Sequence, residues 1–316
     1  MTTATQLPRF AFIFPGQGSQ ALGMMSEMTD FDEVQTTFDE ASSALGVDLW
    51  ALTTDETKLH DTQYTQPVLL TASIAIWRIL EKRLPVKPVC LAGHSLGEYS
   101  ALCAAGVLSL ADAVKLVHER GRLMSKAVLG MDTQMAAVLG MEDEQVVTLA
   151  EQISESVGVV DAANFNSPGQ VVVAGTALGV SALLEEVQAL GKKAVPLKVS
   201  VPSHCQLMKP ASEALATLLE STEFHQPSIH VIQNRHARVE VSLEDIKLAL
   251  TEQLSHPVKW TQTMDKLASK QLDFVVECGF GNVLTNLAKR QAEPLPAFAT
   301  DKPVRLDKLM EQFDES

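Results

Sequence analysis

Residues 93–97 read Gly93-His94-Ser95-Leu96-Gly97 and match G-x-S-x-G, a spacing that can lift a serine hydroxyl out of a sheet as a nucleophile. An apolar, strand-like run precedes the motif and helix-like EYSALCAAG follows it, which is the context that such a turn requires. Glycines on both sides matter because a side chain there would strike the neighbouring strand or helix. Backbone N–H groups at the helix start also face any negative charge that develops nearby. The pattern arises by chance as well, and a plain serine at a helix N-terminus is the alternative; the flanking strand and helix favour the strained elbow.

A serine hydroxyl is a poor nucleophile at neutral pH and needs a base, usually histidine. Among eight histidines, His204 in SVPSHC (residues 200–205) sits in a polar turn just after a strand, with Pro202 limiting backbone freedom. His60, His225, His230 and His236 read as surface or satisfied core residues, His118 falls mid-helix and His256 precedes a proline. Spacing alone gives His204 a modest lead. Asp161, near a strand end, is the best placed acid to orient the ring, but nothing local marks it. A neutral acceptor such as a backbone carbonyl would fix the tautomer equally well.

Two further features bear on this chemistry. FPGQGSQ (residues 14–20) is a strand-to-helix turn with G-x-G but neither G-x-G-x-x-G nor a P-loop lysine, so it argues weakly for a nucleotide site. An oxyanion hole built from the amides of Gln17 and Leu96 suits it better, with a plain turn as the alternative. Arg120 lies near Val117 and Met124 on a mainly apolar helix face, where a guanidinium either grips a partner carboxylate or snorkels and pairs with Glu119 or Asp112. On residue pattern alone the second reading is favoured.

These residues need a scaffold, and the chain is long enough to build one: 316 residues, 46% hydrophobic, predict a large core and two lobes. RFAFIF (9–14) and PVCLAG (88–93) read as strands; 31–43, 66–84 and 109–128 carry helical spacing, the last with Ser109 and Asp112 in a capping-box-like arrangement. That alternation predicts a parallel sheet covered by helices. The middle changes rhythm: strands over 134–140, 158–164, 170–175 and 192–199, and helices over 142–156 and 177–190, give β-α-β-β-α-β. The expected architecture is α/β, a large domain of residues 1–128 and 200–316 with a ferredoxin-like small domain inserted at 129–199. Within the second part, strands are expected at 229–233 and 273–277 and a helix over 282–290; the polar, proline-containing stretch from about 292 reads as partly mobile.

Net charge is −14 and the pI is near 5.0, which speaks against a broad nucleic-acid-binding face. The four cysteines lie far apart without C-x-x-C spacing, so neither a disulfide framework nor a metal site is expected. Residues 1–9 lack a signal-peptide core and no stretch has membrane-spanning character. A cytoplasmic protein, monomeric and free of membrane, is the expectation.

Taken together, FAFIFPGQGSQ, GHSLGEYSAL, VHERGRLM, NFNSPGQVVVAG, VSVPSHCQLMKP and QLSHPVKW occur in an order that resembles the malonyl-CoA:acyl carrier protein transacylases of bacterial type II fatty acid synthesis. The resemblance covers nearly the whole chain. It implies a hydrolase-like α/β lobe with a ferredoxin-like insertion, with Ser95 as acyl acceptor, His204 as base, and Gln17 and Leu96 as oxyanion donors. It further implies that Arg120 grips the malonyl carboxylate, that the main-chain carbonyl of Gln253 orients the histidine, that Met124 and Met135 line the acyl pocket, and that Asn166 and Gln170 lie near the thioester arm. Malonyl-CoA is then a substrate, phosphopantetheine arrives on the carrier protein, and no cofactor is required. One departure stands out: Gly279-Phe280-Gly281 replaces the family's usual GPG turn, which puts local loop shape in question. Because carrier proteins are strongly acidic, docking calls for local basic surface, for which Lys192, Lys193, Lys198, Lys289 and Arg290 are the candidates. A serine esterase or thioesterase with the same elbow is the rival; a non-catalytic carrier-binding module would have no use for Ser95 with His204.

Overall fold

Five consecutive apolar residues at Phe10–Phe14 form a strand in which every side chain is buried, because helices cover both faces of its sheet. The computed structural model describes residues 7–199 and 201–314. Most of the 1–9 stretch, read for targeting signals, therefore lies outside the described residues. In chain order the strands are β1 (Phe10–Phe14), β2 (Cys90–Gly93), β3 (Thr133–Leu139), β4 (Val160–Ser167), β5 (Gln170–Thr176), β6 (Lys193–Pro196), β7 (Val231–Gln233), β8 (Arg238–Val239), β9 (Phe274–Glu277) and β10 (Ala297–Ala299).

The large sheet has the order β10-β9-β1-β2-β7-β8 and is parallel except for β8, which returns antiparallel to β7. Parallel strands end on the same side, so the loops after β1, β2, β7 and β9 gather at one carboxyl edge, where α/β sheets bind ligands. The helix Thr62–Arg83 is buried along most of its length and packs beside the helix Leu110–Ala127. Ser109 caps the latter by accepting from the Asp112 N–H at 3.0 Å. The Asp112 carboxylate accepts the Ser109 hydroxyl at 2.6 Å. A reciprocal capping box would instead have the acid return to the backbone N–H, as the longer Glu side chain does.

The second sheet has the order β4-β5-β3-β6 and is antiparallel throughout. The helices Asp143–Ser156 and Ala177–Ala189 cover one face through Val146, Ile153, Val180 and Leu183. Its other face presents Met135, Ala163, Val172 and Ala174 to Cys205, which belongs to the loop that carries His204. Backbone hydrogen bonds from Phe165 to Val258 (3.0 Å) and from Val258 to Ala163 (2.9 Å) tie β4 to the segment just before the helix Trp260–Ala268. The strand expected over 192–199 ends at Pro196, and residues 197–199 leave the sheet to run along a cleft.

The stretch from about 292 differs from its sequence expectation. It adds β10 to the sheet edge and ends in the helix Pro303–Asp314, with Leu306, Leu309 and Phe313 buried. Phe313 meets Phe10 edge-on at 5.4 Å. Spacing of three and four residues between those apolar side chains outweighs the polar average of the segment. The loop after β9 is shaped by its glycines: a Cβ on Gly279 would lie 2.6 Å from the Pro15 ring, and Gly281 has φ +94°. Phe280, between them, is half-buried against the main core.

If the terminal helix is part of the core, Leu306→Ala should destabilise the chain by about 2–5 kcal/mol in urea unfolding. A loss below about 0.5 kcal/mol, the range of surface substitutions, would show the helix to be dispensable.

Candidate active site

Ser95 has φ +54°, a left-handed backbone that costs a non-glycine residue about 1–2 kcal/mol. The surroundings enforce it. A Cβ on Gly93 would come within 2.0 Å of the Gly97 backbone, and one on Gly97 within 2.0 Å of the Phe14 carbonyl oxygen, so β2, the turn and the helix Gly97–Ala104 meet more closely than any other residue type permits. Asn234, just past β7, accepts from the Ser95 N–H at 2.7 Å and donates to the Gly93 carbonyl. The elbow is thus pinned by the adjacent strand.

His204 also has positive φ, +62°, and its Nε2 lies 2.7 Å from Ser95 Oγ. Its Nδ1 lies 2.7 Å from the main-chain carbonyl of Gln253; a carbonyl only accepts, so Nδ1 carries the proton and Nε2 offers its lone pair to the serine hydroxyl. Burial, reinforced by the Arg120 cation, pushes His204 down to about 3, against the Gln253 carbonyl that favours the protonated ring. Asp161 takes no part in this: its carboxylate accepts from the Gln206 N–H at 2.7 Å.

Arg120 is fully buried. It donates to Gln66 Oε1 at 2.8 Å and Gln253 Oε1 at 2.9 Å, its Nη2 lies 3.4 Å from Ser95 Oγ, and its guanidinium carbon stands 5.3 Å over the Tyr99 ring. No carboxylate lies within 4.0 Å of it among the described residues, and its Nε has no partner there. The pairings favoured by residue pattern do not form. Glu119 binds Arg122 at 2.7 Å and Asp112 binds Ser109, because both acids point away from the buried face. Burial lowers the Arg120 pKa, yet a guanidinium stays protonated in proteins, so this is a buried cation with neutral partners.

A cavity of about 350 Å³ opens over Ser95 and His204. Met135, Asn166, Gln170 and Lys198 stand on its wall, with Gln17 and Gly16 opposite. His94 Nε2 donates to Asn166 Oδ1 at 2.8 Å, which joins the elbow to β4. Met124 sits deeper, fully buried, its Sδ 3.4 Å from Gln66 Nε2. A Cβ on Gly16 would lie 3.6 Å from the Leu96 nitrogen, so the loop after β1 abuts the elbow, and among the described residues neither the Gln17 nor the Leu96 amide has an acceptor. The Gln17 side chain is drawn aside by Thr62, which donates to it at 2.8 Å. Lys192, Lys193, Lys289 and Arg290 are exposed, and Arg290 donates to Gln170 Oε1 at 3.0 Å at the rim.

Three contributors escape sequence reasoning: Gln66, Asn234 and Glu98. Glu98 is fully buried, and its Oε2 accepts from the Asn234 N–H (2.7 Å) and from Gln253 Nε2 (3.2 Å). A charged residue in the otherwise apolar EYSALCAAG is a usable signal; for Asn234 there is none.

A histidine with an ordinary pKa of about 6.5 would lose roughly tenfold of its free base between pH 7.5 and 5.5. His204, held near 3, stays neutral across that range. Labelling of Ser95 by a fluorophosphonate should therefore change less than about threefold there, and a tenfold fall would contradict the assignment.

Comparison with known proteins places this geometry in context. The family model described as acyl transferase domain matches residues 11–300. The malonyl CoA-acyl carrier protein transacylase of Salmonella typhimurium strain LT2 is 45% identical over 310 residues, covering 97% of this chain and 100% of the relative. The crystal structure of FabD from Acinetobacter baumannii superposes with a TM-score of 0.95 at 48% identity, covering 98% of this chain and 100% of that one. A malonyl-transacylase solved in complex with its type II PKS acyl-carrier protein superposes with a TM-score of 0.93 at 43% identity, covering 98% and 100%.

Proposed function

The chain belongs to the acyl transferase domain family as a malonyl CoA-acyl carrier protein transacylase, and we infer that Ser95 carries the malonyl group between the two thiols. In the loading half, His204 Nε2 takes the Ser95 proton while Oγ attacks the thioester carbonyl. The oxyanion of the tetrahedral intermediate is held by the Gln17 and Leu96 amides, each worth about 3 kcal/mol by analogy with other oxyanion holes. The C–S bond then breaks, and the proton on His204 passes to the coenzyme A sulfur as it leaves. In the second half the phosphopantetheine thiol of the carrier protein gives its proton to His204, attacks the acyl-serine ester and restores the Ser95 hydroxyl.

The observation that carries this reading is the buried Arg120 guanidinium, which has amide partners but no carboxylate and lies 3.4 Å from Ser95 Oγ. An acyl group on Oγ that ends in a carboxylate two carbons away supplies the missing anion, and a fork-shaped cation binds it bidentately. Met135 on the cleft wall and Asn166 and Gln170 along the approach suit an acyl chain and a thioester arm; Met124 acts from behind, through Gln66. We take residues 129–199 as a lobe of their own that closes the cleft from above, a division supported by their separate sheet and core. Among the described residues no helix is long and apolar enough to cross a membrane. Cys90, Cys103, Cys205 and Cys278 are free thiols, and this supports a reducing, cytoplasmic setting.

Incubation with malonyl-CoA followed by intact mass should show a malonyl adduct on Ser95 that carrier protein discharges; turnover to free malonate without an adduct would favour a hydrolase, and neither would exclude both. Arg120→Ala should slow malonyl loading by about 10²-fold or more while acetyl loading becomes relatively better, as expected for loss of a buried charge pair. Equal rates for both acyl groups, unchanged from wild type, would refute the clamp.

For the acidic carrier protein we propose a docking rim of Lys198, Lys289 and Arg290, together with Lys192 and Lys193 at the start of β6. Charge reversal of Lys198 and Arg290 together should raise the KM for carrier protein several-fold and flatten its salt dependence. An unchanged KM for carrier protein would reject this surface.

A further inference from the structure

Glu98 lies three residues beyond Ser95 and is shielded from water, yet it makes no ion pair with Arg120. The Gln253 amide stands between them: its Nε2 donates to Glu98 (3.2 Å) and to the Ser95 carbonyl (3.1 Å), and its Oε1 accepts from Arg120 (2.9 Å). Turning that amide over would aim its N–H groups at the guanidinium, so Glu98 and the Ser95 carbonyl together fix which end of Gln253 faces Arg120. The second carboxyl oxygen, Oε1, has no partner among the described residues.

The geometry points to Glu98 as a specificity-determining positioning residue: a resident counter-charge, held off Arg120 by Gln253, that balances the cation in the acyl-free site and takes up a proton when an acyl carboxylate joins it. This rests on the reading that Arg120 receives that carboxylate. Without an acyl group the pocket holds one cation and one anion; a malonyl group adds a second anion in a medium where water does not screen it. The neighbouring groups leave Glu98 to absorb the difference. Arg120 from the helix Leu110–Ala127 stays charged, and Tyr99 on the helix of Glu98 itself is pushed up to about 12 by burial. His204 is already neutral, and Glu240 beyond β8 is occupied by Arg238 and His236. Asn234 and Gln253, the remaining groups in contact, do not titrate.

Burial pushes Glu98 up to about 7, against the pull of Asn234, Gln253 and Arg120. A neighbouring carboxylate raises it further, since like charges disfavour ionisation. The malonyl form then binds more protons than the free form from about pH 7 upward, so malonylation weakens as pH rises through that window. An acetyl group brings no charge and lacks this dependence.

The test is the exchange equilibrium between acyl-CoA with free Ser95 and acyl-Ser95 with free coenzyme A, read by intact mass for malonyl and for acetyl between about pH 6 and 8.5. Ionisation of the released thiol is common to both and cancels in the malonyl-to-acetyl ratio. In the wild type that ratio should fall about fivefold or more across the range. In Glu98→Gln it should be flat and, at the alkaline end, above wild type by a similar factor. A purely structural role would move both acyl groups together and leave the ratio fixed. A flat ratio in the wild type, or the same slope in Glu98→Gln, overturns the inference while leaving the transferase reading intact; absence of any malonyl-Ser95 sinks both. Should Glu98→Gln fail to fold, the wild-type slope decides alone.

Discussion

A guanidinium buried without an ion pair is the constraint from which the rest of the site follows. Arg120 is satisfied by the amide oxygens of Gln66 and Gln253, which neutralise no charge and can be outcompeted by a carboxylate. A protein carboxylate in that position would occupy the clamp permanently. The same reasoning accounts for the way His204 is oriented. An acid beside the ring would lie near the cation and pair with it, whereas the Gln253 carbonyl fixes the tautomer and leaves Arg120 without a carboxylate in direct contact. One residue, Gln253, therefore serves both halves of the site, its backbone holding the base and its side chain holding the clamp.

Strain is the second theme. Ser95 and His204 both occupy left-handed backbone, and each is held there by contacts from elsewhere in the chain: Asn234 for the elbow, and the Leu254 carbonyl, which accepts from the His204 N–H at 3.0 Å. Such conformations persist only where the surroundings over-determine them. The parallel sheet provides that, because β1, β2 and β7 deliver their loops to one edge within hydrogen-bonding distance of each other.

Much of this architecture is readable from the sequence because burial on both faces leaves apolar runs such as FAFIF, and amphipathic helices leave a 3.6-residue rhythm. Ser95 is readable because the close approach of strand and helix demands glycine at 93 and 97. Arg120 is not, since local sequence cannot reveal that Glu119 turns to Arg122. The role of Gln253 toward His204 leaves no mark in residue type, as any residue has a carbonyl; only the family resemblance points to it. Asn234 acts across more than a hundred residues of separation and leaves no local trace. The terminal helix is hidden by its polar average, although Leu306, Leu309 and Phe313 share one face.

The most direct measurement is a crystal structure of the chain carrying a malonyl ester on Ser95. The expected result places the free carboxylate about 3 Å from two guanidinium nitrogens of Arg120, with the ester carbonyl oxygen at the Gln17 and Leu96 amides. A carboxylate turned toward the cleft mouth, with Arg120 still bound only to Gln66 and Gln253, would contradict it.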